Sequence, residues 1–136
     1  MVKSLNQIKI LLVEDDRDIR EMYSIMFMRK GFVVLTATDG RSAIQKYKEK
    51  NPDIILLDIM MPHVDGYQVL KEVRKDVQQY TPVIMLTNLD PGNFESHAHF
   101  DDVDEYLVKS HFSPSEVVEK TIEVLKINKI LPEDAQ

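Results

Sequence analysis

The sequence predicts a doubly wound α/β domain: a five-stranded parallel sheet covered on both faces by five helices. Three observations carry that expectation. Short, almost purely apolar runs, too brief for helices, recur along the chain. Between them lie stretches whose apolar residues repeat at helical spacing, so that strand and helix patterns alternate five times. The apolar runs also end abruptly in polar or charged residues, as strands buried on both faces do at the rim of a sheet.

Ile8 to Val13 forms the first such run and stops at Glu14-Asp15-Asp16. Ile19, Met22, Tyr23, Met26 and Phe27 then share one helical stripe, with Asp16 suited to cap the helix and Gly31 to end it, over about residues 17 to 30. Ile25 and Met28 fall off that stripe, either as scattered surface residues or as a docking patch. Phe32 to Ala37 is β-branched enough for a second strand, and Thr38-Asp39-Gly40 is turn chemistry leading to a helix with Ala43, Ile44 and Tyr47 inward. Lys46 to Lys50 complement the carboxyl end of that helix, and Asn51-Pro52 stops it.

The next run, Ile54 to Met61, follows Asp53, carries a single carboxylate within it, Asp58, and ends in a turn built on Pro62 and Gly66. Packing gives no reason for an acid there. Tyr67, Val69, Leu70 and Val73 space out a third helix, and Val83 to Thr87 is another apolar strand, with Thr87 at its tip. Residues 88–102 offer little inward surface beyond Phe94 and Ala98, so a short, loosely held helix is expected. His97, His99 and Asp101 predict no metal site, because residues two apart on a helix do not share a face. Glu105 to Lys109 reads as the last strand, and Ser113-Pro114-Ser115-Glu116 opens a final helix that buries Val117, Val118, Thr121, Ile122 and Leu125. Residues 1–128 are expected to form the domain and 129–136 a frayed tail.

A chain of 136 residues suffices for one core, and with no cysteine there is no disulfide framework, zinc-thiolate site or thiol nucleophile. A balance of 17 basic against 23 acidic residues gives a formal charge of -6, which opposes attraction to a nucleic-acid backbone. The first residues lack the apolar core of a signal peptide, and no apolar run approaches the ~20 residues of a membrane span, so a cytoplasmic protein is expected.

Glu14, Asp15, Asp58, Thr87 and Lys109 all fall at strand ends, where sheets of this kind gather ligands. Three carboxylates at one edge repel each other, and a hard divalent cation relieves that. Oxygen-only ligation suits magnesium, which keeps some waters and completes its octahedron with phosphate oxygens. Lys109 adds a mobile positive charge, Thr87 a hydroxyl, and an aspartate so placed can itself be the nucleophile that becomes an acyl phosphate.

Four stretches taken together, Ile-Leu-Leu-Val-Glu14-Asp15-Asp16, Asp58-Ile-Met-Met-Pro62-His-Val-Asp-Gly66, Val-Ile-Met-Leu-Thr87 and Asp-Glu-Tyr106-Leu-Val-Lys109, make the chain resemble a response-regulator receiver domain over about residues 8 to 128. The resemblance implies a flavodoxin-like fold with strand order 2-1-3-4-5. It implies Asp58 as phosphoacceptor, Asp15 as direct magnesium ligand, Glu14 acting through a coordinated water, and Met60 contributing its backbone carbonyl. Thr87 and Tyr106 match the family's switch pair, although Tyr106 also reads as a half-buried aromatic. The implied donor is a histidine kinase or histidine phosphotransfer protein. The 88–109 face would then engage a downstream protein, and the chain would be a phosphoacceptor rather than a turnover enzyme. It departs from the family in having Ser110 after Lys109, where proline is common, Asn88 after the switch threonine, and Asp102-Val103 in place of a common Gly-Ala. These departures motivate an alternative, a receiver-like interaction module that does not switch.

Overall fold

Successive side chains of a strand point to opposite faces of its sheet, so an unbroken apolar run belongs to a strand covered on both sides. A computed structural model, which describes residues 2–58, 66–87 and 103–136, has this arrangement. The strands β1 (Lys9–Val13), β2 (Val33–Ala37), β3 (Ile54–Leu57), β4 (Val83–Thr87) and β5 (Glu105–Val108) form one parallel sheet of order β2-β1-β3-β4-β5. The described helices are α1 (Arg17–Lys30), α2 (Gly40–Lys50), α3 (Gly66–Arg74) and α4 (Pro114–Ile127). The short helix expected within 88–102 lies outside the described residues.

Alternation divides the core in two. Ile10, Leu12, Ile54, Leu56, Ile84 and Leu86 face α1 and α4, where Phe27, Val117 and Leu125 are fully buried. Leu11, Val13, Ile55, Leu57, Val83 and Met85 face the other way, toward Ala43 and Tyr47 of α2 and Val69, Leu70 and Val73 of α3. Each large side chain so buried contributes roughly 1.5–3 kcal/mol relative to exposure.

The helix boundaries follow local chemistry. Asp16 accepts a hydrogen bond from the Ile19 amide at 3.0 Å, and Gly31 ends α1 at φ 116°, a left-handed conformation without penalty only for glycine. Ser113 and Glu116 close a capping box on α4, with Pro114 in its first position. On α1 the buried stripe is narrower than the sequence predicts: Tyr23 and Phe27 are buried, whereas Met22, at the stripe's margin, is exposed together with Ile25 and Met28. The carboxyl-terminal segment also differs from the frayed tail expected from residue 129. The chain turns through Lys129, with φ 59°, so that the amides of Ile130 and Leu131 both reach the Leu125 carbonyl and the Leu131 side chain is buried in the α1–α4 core. Its apolar surface is enough to hold the turn down.

Candidate functional site

Register places the site. Val13 pairs with Leu57 across β1 and β3, and the next residues of both strands, Glu14 and Asp58, emerge side by side at the carboxyl edge. The Asp58 amide donates to the Val13 carbonyl at 3.1 Å, fixing that adjacency one residue beyond the ladder. Asp15 follows in the turn to α1, and oxygens of Glu14, Asp15 and Asp58 all lie within 4.8 Å of one another. Glu14 and Asp58 are buried, at 3% and 7% exposure, while Asp15 faces solvent.

The fourth member arrives from the sheet's far edge. Lys109 follows β5 in a single 3-10 turn (Lys109–His111), and its Nζ donates to Glu14 Oε1 at 2.5 Å and to Asp58 Oδ2 at 3.3 Å. The Lys109–Ser110 peptide is trans, and the lysine reaches the carboxylates without the proline that commonly follows it in receivers. Burial pushes the Glu14 carboxyl up from its ordinary 4.5 to about 7, against the Lys109 hydrogen bond that pulls it down and with the Asp58 charge that pushes it further. Burial by itself would lower the Lys109 ammonium, but the Glu14 hydrogen bond and the charges of Asp58 and Glu14 outweigh it and hold the lysine above its ordinary value. Two buried carboxylates thus share one partly buried cation.

Of the residues singled out from sequence, Glu14, Asp15, Asp58 and Lys109 meet in one place. Thr87 ends β4 in register with Val108, on the same edge of the sheet; its side chain lies outside the described residues, as does Met60. Tyr106 lies in β5, partly buried and packed with Val103 against the α2–α3 core. One contributor went unnoticed in the sequence. Arg20 of α1 folds back so that a single guanidinium nitrogen donates to the carbonyls of Glu14 at 2.9 Å and Asp15 at 3.3 Å. Its signal was a cation in the first turn of a helix, where the dipole favours acids.

The donor set fits a hard divalent cation: three carboxylates converge, in a chain without cysteine thiolates, in a pocket whose like charges repel. Magnesium held there by Glu14, Asp15 and Asp58 would neutralise that repulsion and offer open positions to phosphoryl oxygens.

The family model described as "Response regulator receiver domain" matches residues 10–122. Among curated proteins, "Probable transcriptional regulator ycf27" of Guillardia theta is 38% identical over 118 residues, covering 87% of this chain and 45% of that protein. The chain therefore spans about half or less of the length of such relatives. Among solved structures, chemotaxis response regulator CheY4 of Vibrio cholerae is 33% identical with a TM-score of 0.78, covering 87% of this chain and 98% of that one. Response regulator protein TrrA of Thermotoga maritima, solved in complex with Mg(2+)-BeF, is 34% identical with a TM-score of 0.77, covering 88% of this chain and 100% of that one. No described helix is long and apolar enough to cross a membrane.

Proposed function

The chain belongs to the response regulator receiver domain family, and from that premise we propose that Asp58 accepts a phosphoryl group from a histidine kinase or histidine phosphotransfer protein, with magnesium held by Glu14, Asp15 and Asp58. One observation carries the proposal: the Asp58 carboxylate sits at the end of a central strand, within 4.8 Å of two further acids and 3.3 Å from a partly buried ammonium. Magnesium, when bound, supplies charge neutralisation for the phosphoryl oxygens.

An Asp58 oxygen attacks phosphorus, forming the O–P bond of an acyl phosphate as the bond from phosphorus to the donor's imidazole nitrogen breaks; that nitrogen keeps the electron pair. Lys109, which already touches Asp58, follows the new negative charge onto a phosphoryl oxygen. The family resemblance implies that the Thr87 hydroxyl would contact another phosphoryl oxygen and that the Met60 backbone carbonyl would serve the metal, both groups lying outside the described part. Thr87, Tyr106 and the 88–109 face then shift their populations and alter binding of a downstream protein, residues 88–102 lying outside the described part. The exposed Met22, Ile25 and Met28 of α1 offer the donor an apolar landing surface. The protein acts in the cytoplasm as a phosphoacceptor, turning over no external substrate other than its own donor.

Incubation with a small phosphodonor and magnesium, read by intact mass, tests the assignment. One phosphoryl adduct is expected on the wild type and none on Asp58→Ala; an adduct of equal yield on the variant overturns it. The non-switching alternative predicts an adduct with no accompanying change in amide spectra around Tyr106.

A further inference from the structure

We propose that Arg20 is a positioning residue for the magnesium site: by drawing the Glu14 and Asp15 carbonyls onto one guanidinium nitrogen it locks the turn that aims both carboxylates at Asp58. The inference rests on the reading of Glu14, Asp15 and Asp58 as metal ligands. β1 ends at Val13, and the Glu14 amide makes the next bond, to the Ala37 carbonyl at 3.1 Å. Beyond that point the sheet ladder no longer sets the backbone, although the two ligands that follow need fixed directions.

The turn is tied in three ways. The Asp16 amide donates to Glu14 Oε2 at 3.2 Å, the Asp16 side chain caps α1, and Arg20 takes both ligand carbonyls from the helix side. Arg20 is itself anchored: its amide donates to the Asp16 carbonyl at 2.9 Å, and its own carbonyl accepts from Ser24 Oγ at 2.7 Å. One helical turn on, Tyr23 is buried close enough to the site for the Lys109 and Glu14 charges to act on its phenol, which burial raises. The first two turns of α1 are thus tied by hydrogen bonds to the turn that carries Glu14 and Asp15. Arg20 binds the backbone carbonyls of Glu14 and Asp15 and not their carboxylates.

Position and charge make opposite predictions, which gives the test its sign. A cation beside an acidic pocket repels a metal ion, so removing Arg20 tightens magnesium binding if only charge matters. If Arg20 positions the ligands, its removal weakens binding, as loss of a hydrogen bond that orients a metal ligand does, by about tenfold or more. Calorimetric titration of the unphosphorylated chain with magnesium chloride should show about tenfold weaker binding for Arg20→Met and an intermediate loss for Arg20→Lys, which keeps the charge and one donor group. Equal or tighter binding by a folded Arg20→Met overturns the proposal. Should that variant not fold, Arg20→Lys decides: weaker binding supports positioning and unchanged binding refutes it. A wild type that takes up no magnesium defeats the metal-site reading and this inference together, whereas a wild type that binds beside an unaffected Arg20→Met defeats this inference alone.

Discussion

Replacing Lys109 with methionine keeps the length of the side chain and removes its charge, leaving Glu14 and Asp58 buried without the ammonium they share. Stranding buried charge by removing a partner typically costs about 3–5 kcal/mol, but Glu14 can avoid much of that by taking up a proton. Its carboxyl, already pushed up to about 7 beside the lysine, moves higher without it. In the wild type, a folded carboxyl raised above its unfolded value of 4.5 adds stability that is complete at low pH and is lost as pH rises through about 7. In Lys109→Met that loss continues past 7, at about 1.4 kcal/mol for each further pH unit. At about pH 6 the variant should therefore lose the lysine's charged hydrogen bonds, the one to Asp58 included, about 1.5–3 kcal/mol, and at about pH 9 up to about 3 kcal/mol more. The raised Lys109 ammonium titrates above this window and leaves the comparison undisturbed. Urea unfolding in chelator, followed by far-ultraviolet circular dichroism because the chain has no tryptophan, measures both values. An equal loss at the two pH values would refute the idea that Glu14 is the proton acceptor.

Glu14→Gln should flatten the fall in metal-free stability between pH 4.5 and about 7, which the same unfolding series reads. Asp15→Asn removes an exposed ligand, so magnesium affinity by calorimetry should fall at least about tenfold while stability in chelator holds within about 0.5 kcal/mol. Asp16→Ala loses the cap on α1 and should cost about 1 kcal/mol in urea. Gly31→Ala should cost about 1–2 kcal/mol through backbone strain at φ 116°, since an added Cβ would meet nothing nearer than Leu5 at 3.9 Å.

Much of this architecture was legible because strand ends in a two-sided sheet are marked by a sharp change from apolar to acidic residues, as at Val13-Glu14 and Leu57-Asp58. The limits of α1 could be read to the residue, since Asp16 and Gly31 each have a local reason to stand where they do. Strand order came from family resemblance, because periodicity says nothing about which strands neighbour each other, and the register that sets Glu14 beside Asp58 came only with the structure. The rest depends on tertiary contact. Met22 lies on the margin of a helical stripe, and only the packed partner decides whether such a residue is covered. Leu131 finds its pocket only after the chain reverses at Lys129. Arg20 folds back onto two carbonyls because the turn presents them, a geometry that spacing does not encode. Lys109 approaches Glu14 more closely than Asp58, a difference that shows only once β5 and the 3-10 turn after it are placed beside β1 and β3.

The most direct test of phosphoryl acceptance at Asp58 is titration with beryllofluoride, a phosphoryl mimic that needs both carboxylate and metal, observed on amide spectra of the full chain. Saturable shifts at Val13, Asp15, Asp58 and Lys109 that require magnesium and vanish in Asp58→Ala are expected. Spectra unchanged by beryllofluoride with magnesium, or shifts that persist in chelator or in Asp58→Ala, would contradict the assignment of Asp58 as the metal-assisted acceptor.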